Sequence, residues 1–140
     1  MAFFGELPGC PKGSFFASRK SLSQTDVHRH RVAGICGSAK EGAESVVLAG
    51  AYEDDEDRGD IILYTGAGAR DPKTGRQLRD QTLTRGNLAL ANSKIYGRPV
   101  RVIRRVGDGY RYDGLYFVGS FWQEPGQAGF LVWRFKLVRA

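Results

Sequence analysis

The sequence is poor in the residues that hold metals and disulfides. Among 140 residues it has two cysteines, Cys10 and Cys36, and two histidines, His28 and His30. Two cysteines cannot staple a small secreted scaffold. The histidines stand two apart and are flanked by arginines, and no CxxC, HxxxH or HExxH spacing occurs, so no zinc site is patterned. No metal and no cofactor are expected. No run approaches the roughly 18–20 apolar residues of a membrane span. The stretch Met1–Lys20 lacks a basic segment followed by an apolar one, so neither anchor nor signal peptide is expected. Catalytic signatures are missing too. There is no GxSxG elbow, and GAGARDPKTG lacks the Lys-Ser/Thr ending of a phosphate-cradling loop. Paired carboxylates are present, but without the placed Lys, Glu or His that a metal-dependent nuclease also needs. A binding protein rather than an enzyme is expected.

Glycine, by contrast, is abundant. The chain has 19 glycines, about twice the usual share of roughly 7%, together with 8 Phe, 6 Tyr and 2 Trp. Glycine penalises helices and serves turns, bulges and close backbone approaches. This mixture predicts a mixed α+β fold that is mainly β, in a single domain spanning 1–140. Strands are predicted at Arg31–Gly37, Ser45–Tyr52, Asp60–Thr65, Pro99–Val106, Arg111–Gln123 and Phe130–Val138. Short helices are predicted over Ser18–Thr25, with Ser18 as N-cap, and over Leu83–Ser93. Gly66–Gln77 reads as a mobile loop. In Pro99–Val106 the alternation predicts a half-buried strand with Arg101, Arg104 and Arg105 on its outer face. The set is most simply a curved or barrel-like sheet.

Charge is distributed unevenly. The run from Glu53 to Asp60 holds six acids and one base, so it carries −5, and the rest of the chain carries +11 of the net +6. A basic body with one concentrated acidic segment fits a polyanion binder with one place reserved for something specific, although such a run is also what a solvated loop looks like. Tyr52 opens the acidic segment, and Tyr64-Thr65 follows twelve residues later. If the strands carrying them are neighbours, the two rings can face each other across a slot backed by a carboxylate. A flat heteroaromatic ring would stack there, at about 1–3 kcal/mol per base, and the carboxylate would accept from an exocyclic amino group. The alternative is two core tyrosines and a turn.

The segments VHRHRVAGICG (27–37), SVVLAGAYEDDEDRGDIILYTGAGARD (45–71), RPVRVIRRV (98–106), RYDGLYFV (111–118) and GFLVWRFKLVR (129–139) resemble the SET- and RING-associated (SRA) domain. It is also called the YDG domain after the motif found here as Tyr112-Asp113-Gly114. The resemblance implies a twisted PUA-like β-barrel with one or two flanking helices. It also implies a partner, double-stranded DNA carrying 5-methylcytosine or 5-hydroxymethylcytosine, whose modified base is flipped out of the duplex. By this resemblance Tyr52 and Tyr64 sandwich the base, Asp55 accepts from its N4, and Thr65 holds its other polar groups. Ala49 and Gly50 leave room for the C5 substituent. Val32 enters the minor groove from a thumb loop, and Arg29, Arg31, Gly68 and Arg70 meet phosphates. Tyr112 and Asp113 are implied to be structural.

The loop after the GARD segment is short and lacks the Asn-Lys-Arg finger of replication-linked members, leaving Arg76 or Gln77 for the major-groove side. A match that begins almost at Met1 is most like the N-terminal reader domain of prokaryotic modification-dependent restriction endonucleases, where an HNH-type nuclease follows. That implies a cytoplasmic, nucleoid-associated protein if prokaryotic and a nuclear one if eukaryotic.

Overall fold

The computed structural model describes residues 2–49 and 54–140. Its elements in chain order are β1 (Phe15–Phe16), α1 (Arg19–Ser23), β2 (Ile35–Ser38), β3 (Gly42–Leu48), β4 (Glu56–Asp57), β5 (Ile61–Thr65), α2 (Arg85–Tyr96), β6 (Val100–Val106), β7 (Gly109–Pro125) and β8 (Leu131–Arg139). The strands form one sheet in the order β2-β3-β6-β7-β8-β5-β4, with β1 added alongside β7. Every pairing is antiparallel except β3 with β6. That parallel pair requires a long crossover, and the crossover carries β4, β5 and α2. The fold is mainly β with two helices, as expected. Among the described residues the ladder is an open path and not the closed barrel that the resemblance implies. Its two ends are tied by a side chain: the Tyr64 hydroxyl on β5 lies 3.3 Å from the Gly34 carbonyl and 3.4 Å from that of Val47 on β3.

Local sequence explains much of this. Ser18 caps α1 through a reciprocal pair: its hydroxyl accepts from Ser21 N at 3.1 Å, and its own amide donates to Ser21 Oγ at 3.0 Å. The second helix runs two to three residues later than predicted and ends at Gly97, in the left-handed conformation that suits a helix C-terminus. The main core lies between the sheet's concave face and α2, where Val46, Ile62, Leu90, Val102, Tyr116, Phe135 and Leu137 are fully buried.

A second cluster on the other side of β3 and β6, built from Leu22, Val27, Val47, Ile103 and Tyr112, is covered by the N-terminal segment. This layer corrects one prediction. Arg101 is fully buried instead of facing outward. Its guanidinium donates to the carbonyls of Phe3, Gly5, Asp26 and Val27 at 2.7–3.1 Å, with Glu44 at 3.9 Å. Val100 and Val102 enter the main core, Ile103 enters the second cluster and Arg104 is held by Asp57 and Asp113, so both faces of β6 are covered.

From Glu56 to Asp60 the acidic run is solvent-exposed, as a solvated segment would be, but it is paired and not loose. Glu56–Asp57 forms β4 against β5. Asp57 takes two bonds from Arg104, at 2.7 and 2.8 Å, and Asp60 takes one from Arg139 at 2.6 Å. The same Arg104 reaches Asp113 at 3.1 Å, and Arg111 holds that carboxylate at 2.5 Å. Arg104 thereby ties the acidic segment to Asp113 on β7. Gly114 follows with φ +97, which a side chain rarely adopts.

Candidate functional site

The end of β5, the segment after β3 and the loop before β2 converge on a cavity of about 300 Å³. Tyr64, Thr65, Asp55 and Ala49 line it, with Val32 and Gly34 on one lip and the 67–70 segment on the other. Pleating would send successive residues of β5 to opposite faces, yet Tyr64 and Thr65 both reach this cavity because β5 ends there. Thr65 N donates to Asp55 Oδ1 at 2.7 Å, which fixes the carboxylate in the cavity floor. The Thr65 hydroxyl is buried and, among the described residues, makes no hydrogen bond of ordinary geometry, although the Asp55 carboxylate beside it feels its dipole. Burial pushes the Asp55 carboxyl above the ordinary carboxylate range, against the opposing pull of the Thr65 amide, the Thr65 hydroxyl and the Arg134 charge. The cavity therefore combines an aromatic ring, a half-desolvated carboxylate and a hydroxyl beside it. Those are the groups that a planar heterocycle with an amino edge requires.

The 67–70 side of the cavity is held from behind by residues that no sequence pattern singled out. Asn87, in the first turn of α2, accepts from Ala67 N at 2.7 Å and donates to Ala67 O and Thr82 O, both at 3.0 Å. Gln81 donates to Gly66 O at 2.7 Å and accepts from Trp133 N at 2.9 Å. A Cβ on Gly66 would stand 2.7 Å from Asn87 Oδ1, so only glycine permits this contact. On the opposite lip Gly34 lets the Tyr64 hydroxyl approach; a Cβ there would lie 3.0 Å from it.

A family profile for the SAD/SRA domain matches residues 3–140. The chain belongs to the SAD/SRA family. It is 43% identical to the E3 ubiquitin-protein ligase UHRF1 of Rattus norvegicus over 97% of this chain and 21% of that protein. Among solved structures it superimposes on the modification dependent TagI restriction endonuclease with a TM-score of 0.94 and 44% identity, covering 98% of this chain and 52% of that one. It also superimposes on SUVH5 SRA bound to fully hydroxymethylated CG DNA, with a TM-score of 0.88, 40% identity and coverage of 99% and 95%. The chain thus spans about a fifth of the curated relative and about half of the restriction endonuclease.

The SRA chain places its expected site residues unevenly. Tyr64, Asp55, Thr65, Ala49 and Val32 meet at the cavity, and Gly68 and Arg70 line its far lip. Tyr52 and Gly50 lie outside the described residues. Arg31 is exposed, whereas Arg29 is held in a close ion pair with the buried Glu44. Gln77 turns inward. It is buried, and its amide donates to Arg79 O at 2.9 Å and Leu131 O at 3.0 Å, so it is not presented to a groove. Arg76 is exposed at a separate depression beside Leu78 and Phe130. The loop that leads to them, residues 71–75, is a compact turn in which Asp71 Oδ1 accepts from Lys73 N at 2.8 Å. Residues 70 and 77 bridge across it.

No group of three or more metal-ligating side chains occurs among the described residues. No helix among them is long and apolar enough to cross a membrane.

Proposed function

We propose that this chain reads modified cytosine in double-stranded DNA by flipping the base into the Tyr64–Thr65–Asp55 cavity. The observation that carries this reading is a cavity in which the Tyr64 ring meets a carboxylate, Asp55, already fixed through one oxygen by the Thr65 amide. The likeness to SUVH5 SRA bound to hydroxymethylated DNA supports the ligand class. Tyr64 provides one stacking face, and Tyr52 the other. Because Asp55 Oδ1 is occupied by Thr65 N, Oδ2 is the oxygen that accepts from the cytosine N4 amino group. Cytosine N3 is itself an acceptor, so either a backbone N–H or a protonated Asp55 meets it. Ala49 and Gly50 leave space at the ring's C5 edge. The methyl or hydroxymethyl group contributes apolar contact there, while the carboxylate selects cytosine over thymine.

This assignment predicts an inversion. In Asp55→Asn the side-chain oxygen stays on Thr65 N, so the new NH2 points at the ligand and opposes the N4 amino group donor to donor. Affinity for a 5-methylcytosine duplex should fall about 10–100-fold, and discrimination against thymine at the same position should collapse. Competition binding with the two duplexes checks it. Unchanged cytosine preference in Asp55→Asn would place the base elsewhere.

The chain acts by binding, and a nuclease linked to it in a longer polypeptide would do the cutting. The TagI restriction endonuclease, of which the chain covers 52%, supports that arrangement. The 140-residue chain should leave a methylated duplex intact in the presence of magnesium, and a cleaved product on a denaturing gel would contradict this.

A further inference from the structure

Val32 is the most exposed large apolar side chain described, at 89%. It sits outside any strand, at the lip of the cavity. Loops that carry such a residue are ordinarily mobile, because exposed backbone has few partners. This one is pinned from three sides. Arg19, in the first turn of α1, sends its guanidinium across to the loop: Nη2 donates to the carbonyls of His30 and Ala33, both at 2.8 Å, and Nη1 to that of Val32 at 3.3 Å. The buried His28 reaches the Ala33 carbonyl at 2.8 Å through Nε2. The Gly34 carbonyl accepts from Val47 N at 2.8 Å and lies 3.3 Å from the Tyr64 hydroxyl. Arg19 makes no ion pair among the described residues, so its donors are given to backbone carbonyls and not to an acid.

We propose that Arg19 is a positioning residue for base extrusion, a guanidinium clamp that fixes loop 30–34 so that Val32 stands out as a rigid wedge at the cavity mouth. This rests on the modified-cytosine reading above. Separating stacked bases is unfavourable, and an apolar wedge offsets it only if the wedge itself need not be ordered at that moment. Three carbonyls of one loop gathered on one planar fork supply that order in advance. A lysine could not replace it, since a single ammonium is a point donor and cannot span the carbonyls of residues 30, 32 and 33 as a fork does. Arg19 also lines the cavity, so the competing role is a direct phosphate contact. The two roles differ in what lysine rescues and in which duplex is affected.

The test compares the wild-type chain with Arg19→Met, Arg19→Lys, Val32→Ala and the Arg19→Met/Val32→Ala double variant. Each is titrated with duplexes carrying cytosine or 5-methylcytosine beside a 2-aminopurine, whose fluorescence reports unstacking. The clamp requires Arg19→Met to lose the fluorescence rise and about tenfold or more of its preference for the methylated duplex, while affinity for the unmodified duplex stays within about twofold. Arg19→Lys should behave like Arg19→Met. The double variant should be no worse than either single one, because both changes remove the same wedge. The clamp is overturned if Arg19→Met weakens both duplexes equally and lysine restores them, or if the two losses multiply. Thermal melting checks that each variant is folded, and Arg19→Lys, which keeps charge and stem, carries the test if the methionine variant is not. A wild-type chain with neither methyl preference nor fluorescence rise would end the modified-cytosine reading and the clamp with it. A normal wild type beside a normally flipping Arg19→Met would end the clamp alone.

Discussion

His28 shows how one side chain ties stability to the site. Its Nε2 faces the Ala33 carbonyl, an acceptor, so Nε2 carries the proton and Nδ1 accepts from the Ser45 hydroxyl at 2.8 Å. A neutral ring satisfies both contacts, and burial pushes its pKa down to about 4. In the unfolded chain the same ring takes up a proton below its ordinary value of about 6.5. Between those values the unfolded state binds more protons, so stability is lost as pH falls from about 6.5 towards 4, by roughly 3 kcal/mol in full. Asp55, raised by burial, works in the opposite sense but is common to wild type and variant. Denaturant unfolding at pH 7 and pH 4.5 should therefore show wild type losing about 2–3 kcal/mol more than His28→Asn. Parallel losses in the two proteins would show that His28 is not held neutral.

Among the elements, β6 shows how far pattern reading reaches. Its alternation places Val100 and Val102 in the main core, and the same alternation would put Arg101 in water. What buries Arg101 is the N-terminal segment, whose carbonyl groups lie 74 to 98 residues away in sequence. No local signal announces a partner at that distance. Arg101→Met would leave these carbonyls unpaired and remove one neighbour of the buried Glu44, at a cost of roughly 3–5 kcal/mol by chemical denaturation. A cost below about 1 kcal/mol would mean that the second layer does not depend on it.

The same limit explains the rest of what sequence revealed. The Ser18 cap, β5 and β8 all carry their signal within a few residues. The acidic run, Gln77 and the cavity side held by Asn87 and Gln81 depend on partners from other strands. The cavity residues were legible because their motif is long, and it places Tyr64, Thr65 and Asp55 together without showing which oxygen of Asp55 is left for the ligand.

Across the whole molecule, the count of 21 lysines and arginines overstates the cationic surface available to DNA. Arg29, Arg58, Arg101, Arg104, Arg111, Arg134 and Arg139 are all in ion pairs with acids. Arg31, Arg79 and Arg85 are exposed and in no ion pair among the described residues. Counterion release scales with phosphates neutralised, at a slope of about −0.9 for each. Arg31→Ala should reduce the salt slope of duplex binding by close to one contact and weaken modified and unmodified DNA alike, whereas Arg29→Ala should change it far less. Binding isotherms between 50 and 200 mM salt, a range that resolves such slopes, separate the two. Equal changes would return Arg29 to the phosphate surface.

The central claim is that a cytosine carrying a C5 substituent leaves the duplex for the Tyr64–Asp55 cavity. Its most direct test is binding of this chain, at one fixed salt, to three duplexes identical except for cytosine, 5-methylcytosine or 5-hydroxymethylcytosine at one position, with 2-aminopurine as the neighbouring base. The account predicts tighter binding and a rise in fluorescence on at least one modified duplex and neither on the unmodified one. Equal affinity for all three, with no change in fluorescence, would contradict it and leave only a basic surface.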